Sequence, residues 1–257
     1  MYKIVFLDID GTILDHEKTI RPLTKLAVQK LKENGIEVVI ATGRAPFITH
    51  SIANELGIES VIYCNGSYIG YRGTIIDKKA MNVDDLQLLS QVAQEHGHLA
   101  TYINESAFSP NVPDHPHLEK HYAHSIEGIP VFDETFLSRE VYTAHLHCPE
   151  SHIHIYKERV PNLEFMYWAN GVSLDVSQKG VSKREGIRAM LDYLGIHPSE
   201  AVAFGDGSND FEMLDFVGMG VAMGNASDEL KLAANYVTTS VDEDGIYHGL
   251  KALKLID

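Results

Sequence analysis

Residues 4–14 read Ile-Val-Phe-Leu-Asp-Ile-Asp-Gly-Thr-Ile-Leu, an apolar run that ends in Asp8 and Asp10 and is interrupted at Gly11. Alternate side chains of a β-strand lie on one face, so both carboxylates should project together from the end of a strand predicted over 3–10. Two unpaired charges are costly to desolvate there, and a bound cation would hold them. The open end of a parallel strand is also where α/β proteins bind ligands. A solvated acidic turn is the alternative for this motif alone.

Composition and charge exclude several classes of protein. A length of 257 residues suits one large domain or two unequal ones. The formal net charge of −15 argues against a nucleic-acid partner, and an anionic substrate would need a metal and a few placed cations. Cys64 and Cys148 have no paired spacing, which favours a reduced compartment. No apolar stretch reaches the roughly 20 residues that span a bilayer. No charged leader precedes the first strand. We therefore expect a cytoplasmic protein with no membrane partner.

The first and last thirds of the chain alternate strands with helices. In the first third, strands are predicted over 3–10, 37–41 and 60–64, with helices over 22–33 and 46–56 and a hairpin over 67–77. In the last third, helices over 182–194, 209–216, 227–234 and 246–254 alternate with strands over 201–205, 219–223 and 236–238. Short apolar strands separated by helices predict an α/β fold with a doubly wound parallel sheet.

The middle of the chain has a different character. It contains one clear helix over 83–96 and β-like segments near 99–103, 141–147, 163–168 and 172–176, rich in aromatic and β-branched residues. These features predict an antiparallel sheet in a second domain inserted into the first. The predicted limits are 1–81 and 181–257 for the core and 82–180 for an α+β insert.

Four motifs occur in a fixed order along the predicted core. They are Asp8-Ile9-Asp10-Gly11-Thr12, Thr42-Gly43-Arg44, Lys183, and Gly205-Asp206-Gly207-Ser208-Asn209-Asp210. With them the chain resembles the haloacid dehalogenase-like superfamily, and within it the Cof-type phosphatases that carry a type IIB cap. The resemblance implies a Rossmann-like core, a cap formed by the insert, and Mg²⁺-dependent hydrolysis of phosphate esters. Arg184 is a departure, because the family usually has glycine after the motif lysine.

The resemblance assigns a role to each acidic residue. Asp8 would be the nucleophile that forms an aspartyl-phosphate, and Asp10 the general acid and base. Asp8, Asp206 and the backbone carbonyl of Asp10 would bind Mg²⁺, which prefers oxygen ligands. Asp210 would bind the metal directly or act from the second shell by orienting water or Lys183. An ordinary acid near a helix N-terminus is the alternative for Asp210.

Four further residues are candidates for binding the phosphate group. Thr42 and the Gly43 amide lie where a strand ends and a helix begins. Backbone N–H groups at such a position can bind an anion. Lys183 would neutralise Asp8 and the charge that develops on the phosphoryl oxygens, and Asn209 would donate to one of them. A helix cap is the alternative for Thr42, and a solvated surface position for Lys183.

The insert offers weaker candidates. Tyr102, Tyr167, Trp168 and Asn170 could contact the substrate or form the core of the insert. Several histidines have spacings that zinc sites use, although a solvated surface position is favoured for them. They are His117, His121, His124, His145, His147, His152 and His154.

Together these features predict a Mg²⁺-dependent phosphatase that hydrolyses small phosphorylated metabolites of the sugar-phosphate kind. The alternatives are a phosphomutase on the same core and a catalytically silent module that binds sugar phosphates. A mutase would need a cationic cluster for a second phosphate, and the insert shows none in its sequence. The sequence indicates neither one physiological substrate nor an oligomeric state.

Overall fold

The computed structural model describes residues 1–122, 128–168 and 171–257. The strands are, in chain order, β1 (Ile4–Leu7), β2 (Glu37–Ala41), β3 (Val61–Tyr63), β4 (Tyr68–Tyr71), β5 (Thr74–Lys78), β6 (Leu99–Ile103), β7 (Phe108–Pro110), β8 (Thr143–His147), β9 (Leu163–Tyr167), β10 (Ser173–Gln178), β11 (Ala201–Gly205), β12 (Met219–Ala222) and β13 (Tyr236–Val237). The α-helices are α1 (Pro22–Glu33), α2 (Pro46–Leu56), α3 (Val83–Glu95), α4 (Pro116–Tyr122), α5 (Ile153–Arg159), α6 (Lys183–Leu194), α7 (Phe211–Phe216), α8 (Asp228–Ala233) and α9 (Gly245–Ala252). None of the helices in these described ranges is both long and apolar enough to cross a membrane.

The chain divides into two units. Unit 1 comprises Met1–Gly43, His50–Asp77 and Ser182–Asp257, and unit 2 comprises Arg44–Thr49 and Lys78–Val181. The predicted fold class, an α/β core with an α+β insert, is confirmed. The predicted domain limits of 1–81, 82–180 and 181–257 stay predictions.

An eight-stranded sheet runs through unit 1 in the order β13-β12-β11-β1-β2-β3-β4-β5. In this order, every pair of neighbouring strands between β13 and β3 is parallel, whereas β4 runs antiparallel to β3. All four residues of β1 are buried, because the sheet is covered on both faces. Val5 and Leu7 pack with residues of α1, α2 and α9, and Ile4 and Phe6 pack with residues of α6, α7 and α8.

Helix α6 approaches the loop after β3 through two glycines. Gly66 has φ +101°, a left-handed conformation that suits glycine, and it lies three residues after the end of β3. A Cβ on Gly186 would lie 2.6 Å from Cγ2 of Ile62 and 2.9 Å from Cα of Gly66. Arg184 stands where the family usually has glycine, but in this protein Gly186 allows the close approach between the backbone of α6 and the loop after β3. This contact brings the first turn of α6, which begins at Lys183, close to the strand ends.

Unit 2 contains a five-stranded antiparallel sheet in the order β7-β6-β8-β10-β9. One face packs on α3 and α5 through an apolar core that includes Leu89, Tyr102, Leu146 and Tyr156. The pleat places Thr101, His145 and Asp175 in one row across β6, β8 and β10, on the opposite face. This unit is therefore apolar on its helix-covered face and carries polar side chains on the other.

We expect Gly186→Ala to lower the free energy of unfolding, as measured by urea denaturation. Alanine is about 1 kcal/mol more favourable than glycine inside a helix. Overpacking against Ile62 and Gly66 should cost about 1–3 kcal/mol and outweigh that gain. Gly70→Ala is the matched control, because its Cβ would have no neighbour nearer than 3.7 Å. An unchanged or higher stability of Gly186→Ala would contradict the proposed close contact.

Candidate active site

Side chains from two adjacent parallel strands meet at one edge of the unit 1 sheet. Leu7 of β1 pairs with Phe204 of β11, and the amide of Asp8 donates to the carbonyl of Phe204 at 3.1 Å. Asp8 directly follows β1, and Asp206 directly follows the neighbouring β11. Thr42 follows β2, the other neighbour of β1, and is buried. The carboxyl ends of three strands thus bring the predicted residues together, as the α/β fold requires.

A buried lysine lies between two of the carboxylates. Nζ of Lys183 is 2.6 Å from Oδ1 of Asp8 and 2.6 Å from Oδ1 of Asp210, and the lysine side chain is fully buried. Asp8 and Asp210 are 6% and 0% exposed. The alternative of a solvated surface lysine is therefore wrong. A buried ammonium with two hydrogen-bonded carboxylates is a compensated charge, and its geometry holds Asp8 in one orientation.

Asp210 uses both of its oxygens within this network. Oδ1 accepts from Lys183, and Oδ2 accepts the backbone N–H groups of Asp206 and Gly207, each at 2.9 Å. These bonds shape the loop that presents Asp206. Asp210 thus orients Lys183 and the backbone of Asp206. This favours the predicted role of orienting Lys183 over direct binding of the metal.

Burial raises the pKa of two acids. The pKa of Asp8 is raised to about 8, because burial outweighs the opposing effect of Lys183. The pKa of Asp206 is raised to about 6, first by burial and then by the charge of Asp210. Burial alone would lower the pKa of Lys183, but its two carboxylate partners together raise it. Lys183 is therefore cationic at neutral pH, whereas Asp8 and Asp206 hold protons more tightly than free carboxylates do.

Three carboxylates form a cluster that suits a hard divalent cation. One oxygen from each of Asp8, Asp206 and Asp210 lies within 4.8 Å of the others. Oxygen donors with net negative charge are the ligands that Mg²⁺ takes in proteins. Asp10 is outside this cluster: its carboxylate is 46% exposed and accepts from Nζ of Lys18 at 3.0 Å. Asp8 and Asp10, which the alternation of a strand would place on one face, therefore differ in exposure.

Asn65, which the sequence analysis did not single out, adjoins the candidate phosphate-binding residues. Asn65 has φ +51°, and its amide N–H donates to the carbonyl of Thr42 at 2.9 Å. Its Oδ1 accepts from Nδ2 of Asn209 at 3.0 Å. A Cβ on Gly43 would lie 3.2 Å from the Asn65 amide group, so glycine leaves room for it. Asn65 thus links Thr42 and Gly43, which follow β2, to Asn209 in the loop that follows β11.

Two more side chains hold Asp206. The hydroxyl of Thr12 donates to Oδ1 at 2.9 Å, and Nδ2 of Asn225 donates to Oδ2 at 3.0 Å. Nδ2 of Asn225 also donates to the carbonyl of Gly11 at 2.8 Å, and its Oδ1 accepts the amide N–H of Val241. Asn225 follows β12 and is not among the site residues predicted from the sequence. Its function could not be assigned without knowing that β12 neighbours β11.

The candidates in the insert separate into different environments. Tyr102 is 2% exposed in the apolar core of unit 2, so core packing is its role there. Trp168 is partly exposed and donates from Nε1 to Asp175 at 2.7 Å. His124 and Asn170 lie outside the described residues. Among the described residues, only the three carboxylates bring together three candidate metal ligands, and no histidine belongs to that set.

We expect Asn225→Ala to weaken divalent-metal binding by about 10- to 100-fold, since Asp206 would lose a donor that orients it. Isothermal titration with Mg²⁺ measures the change. Asn235→Ala is the matched control, because Asn235 also accepts a backbone N–H, that of Gly220, but does not contact the carboxylates. Equal metal affinity of the two variants would show that Asn225 does not orient Asp206.

Comparison with known proteins identifies the family. A family model described as haloacid dehalogenase-like hydrolase matches residues 5–250. A Bacillus subtilis (strain 168) protein named "Putative phosphatase YkrA" is 37% identical over 255 residues, which cover 99% of this chain and 98% of that protein. The pyridoxal phosphate phosphatase YbhA of Escherichia coli (strain K12) is 28% identical over 262 residues, with 96% of each chain covered.

Solved structures agree with this result. The subclass IIB sugar phosphatase BT4131, of the same superfamily, superposes with a TM-score of 0.87 at 28% identity. The match covers 99% of this chain and 100% of that one. The chain belongs to the haloacid dehalogenase-like hydrolase family and is an enzyme of its phosphatase group.

Proposed function

We propose that this protein is a Mg²⁺-dependent phosphatase that hydrolyses small phosphorylated metabolites through an aspartyl-phosphate on Asp8. The observation that carries the proposal is the buried Lys183, which is 2.6 Å from Asp8. Lys183 fixes one oxygen of the Asp8 carboxylate and leaves the other for attack on phosphorus. Covalent catalysis of this kind divides one difficult displacement into two easier ones.

The phosphoryl oxygens would be bound by donors on the adjoining loops. Lys183 supplies positive charge, and Thr42, the Gly43 amide and Asn209 supply hydrogen bonds. Preorganised donors of this kind stabilise the charge that spreads over the oxygens in the transition state. Asn65 would keep Asn209 oriented through the hydrogen bond at 3.0 Å.

Asp10 would donate a proton to the leaving oxygen and then accept one from the water that hydrolyses the aspartyl-phosphate. Its position two residues after Asp8 supports this role, as does the exposure of its carboxylate to solvent. The ion pair with Lys18 would have to loosen while Asp10 carries its proton. Exposed ion pairs are worth only about 0–1 kcal/mol, so this rearrangement costs little.

The carboxylates fit Mg²⁺, and Asp8, Asp206 and the backbone carbonyl of Asp10 would hold it. Asp210 would stabilise the site through its hydrogen bonds with Lys183 and with the backbone N–H groups of Asp206 and Gly207. When bound, the ion would neutralise the phosphate and orient it for in-line attack. The protein residues would then supply the nucleophile, the donors and the proton transfers.

Family membership alone does not select the substrate. Two relatives, each 28% identical to this chain, are named for different substrates, pyridoxal phosphate and a sugar phosphate. We propose a substrate of this small phosphorylated class, with a sugar phosphate favoured, in the cytoplasm. All the proposed catalytic residues belong to unit 1, so we assign substrate choice to unit 2.

Asp8→Asn should abolish turnover of phosphate esters, because an amide cannot act as the nucleophile. Loss of a nucleophile lowers kcat by roughly three orders of magnitude or more. Phosphate release from a panel of phosphorylated metabolites with Mg²⁺ is the measurement. Asp192→Asn, an exposed position on α6, controls for the chemical change. Retention of more than about 1% of wild-type kcat by a folded Asp8→Asn protein would remove Asp8 from this role.

The apparent affinity for Mg²⁺ should rise with pH between 6 and 8. Protonated Asp206, with pKa about 6, and Asp8, with pKa about 8, must release protons before their oxygens bind the ion. Each protonated ligand lowers the affinity by up to about tenfold for each pH unit below its pKa, so the rise should be roughly 10- to 100-fold. Calorimetry in buffers of different ionisation enthalpy would report the released protons. A pH-independent affinity would refute this coupling.

Trp168→Ala should change the relative kcat/KM values among phosphate esters and affect p-nitrophenyl phosphate least, because its good leaving group needs little help. Tyr102→Phe is the control, because Tyr102 lies in the core of unit 2 and phenylalanine retains the aromatic ring. Unchanged relative specificity in Trp168→Ala would mean that this side chain does not select the substrate.

A further inference from the structure

Three histidines converge in unit 2, remote in sequence from the carboxylate motifs. His96 is the C-cap residue that directly follows α3, His98 immediately precedes β6, and His152 immediately precedes α5. His98 is 6% exposed, His152 is partly buried and His96 is exposed. The cluster thus joins the end of one helix to the start of another, and none of its members has a part in the proposed phosphatase chemistry.

The two inner histidines have the spacing of ligands to one ion. Nε2 of His98 lies 3.1 Å from Nδ1 of His152. Tetrahedral coordination with metal–nitrogen bonds of 2.0–2.1 Å separates two ligand nitrogens by about 3.3 Å and their ring centres by about 5 Å. The ring centres of His98 and His152 are 5.1 Å apart. Both distances suit a shared cation, as they also suit a direct hydrogen bond between neutral rings.

Tyr156 orients the more deeply buried ring. Its hydroxyl lies 2.6 Å from Nδ1 of His98, and its side chain is fully buried. This contact occupies one ring nitrogen of His98 and directs the other towards His152. A ligating histidine commonly has its second nitrogen held by such a partner, which fixes the ring and its tautomer. An accidental pair of surface histidines would not require this support.

His96 is close enough to complete the set. Its ring centre lies 5.9 Å from that of His98 and 6.3 Å from that of His152, about 1 Å beyond the spacing of ligands to one ion. Because His96 is exposed, its side chain can change rotamer on a fast timescale. The described structure therefore presents two aligned nitrogens and a third, exposed imidazole about 1 Å beyond the spacing of ligands to one ion.

We propose that unit 2 binds a divalent transition-metal ion of the zinc class through Nε2 of His98 and Nδ1 of His152, with His96 as the third protein ligand and water as the fourth. Imidazole nitrogens select zinc, nickel or copper over Mg²⁺, so this ion would differ from the one at the carboxylates. The bound ion would tie the end of α3 to the start of α5 and stabilise unit 2.

Zinc titration of the full-length protein tests the site, with saturating Mg²⁺ present to occupy the carboxylates. Wild type should bind one Zn²⁺, and His152→Ala should bind it at least about tenfold more weakly. His152 makes no side-chain cap to α5, so its replacement removes no helix cap. Tyr156→Phe, which deletes only the hydroxyl, should weaken binding by about 10- to 100-fold. With Co²⁺ as the probe, the visible absorption of a tetrahedral site should appear in wild type and be lost in His152→Ala.

His154→Ala is the matched control, because His154 is an exposed histidine on the same helix. It should bind Zn²⁺ as wild type does, and so should Asp206→Asn, which alters the carboxylate cluster instead. Equal zinc affinity in His152→Ala and wild type would overturn the proposal, and so would the absence of a stoichiometric site in wild type. Loss of phosphatase activity in Asp8→Asn is measured separately, so either proposal can fail without the other.

Discussion

The buried ammonium group of Lys183 is the interaction on which the candidate active site depends. It lies between Asp8 after β1 and Asp210 after β11, and it belongs to the first turn of α6. Removing one partner from a buried ion pair typically destabilises a protein by about 3–5 kcal/mol, because the remaining charge is uncompensated. Three segments that are distant in sequence must therefore fold together before this charge is satisfied. The same contacts place the nucleophile of the proposed reaction.

Glycines make that convergence sterically possible. Gly11 has φ +79°, and a side chain there would collide with the Asp206 carboxylate. At Gly205 a Cβ would lie 2.5 Å from the carboxyl carbon of Asp210. Gly186 performs the corresponding function for α6, three residues after the lysine. The position of the glycine thus differs from the usual family pattern, while the physical requirement, a short distance between backbones, is met.

The strand order explains which site residues could be predicted from the sequence. Asp8 and Asp206 each end an apolar run, and parallel strands place such ends at one edge, so their meeting follows from local patterns. Lys183 could be predicted only through the family resemblance, and Asn225 required the knowledge that β12 neighbours β11. The exposure of Asp10 could not be predicted from period-two alternation, because the strand ends at Leu7. Tyr102 was ambiguous because aromatic residues suit both a core and a binding surface.

The histidine cluster was missed for a different reason. His98 and His152 are 54 residues apart and are joined only by the packing of α3, α5 and β6. Histidine spacing along the chain drew attention to His152 together with His154, but not to His98. Tertiary contacts, and not spacing, bring these two rings together.

Burial at the carboxylates makes the folded state and the cation interdependent. Asp8 and Asp206 both have folded pKa values above the ordinary value near 4, since burial disfavours their charged forms. Their contribution to stability is therefore complete at low pH, and it is lost as the pH rises through about 6 and then about 8. Lys183 contacts two of the three clustered carboxylates and carries a single positive charge, so it compensates only part of their negative charge. A divalent cation would offset the remaining negative charge at neutral pH. The burial that makes the carboxylate cluster unfavourable by itself therefore also makes it selective for a ligand with positive charge.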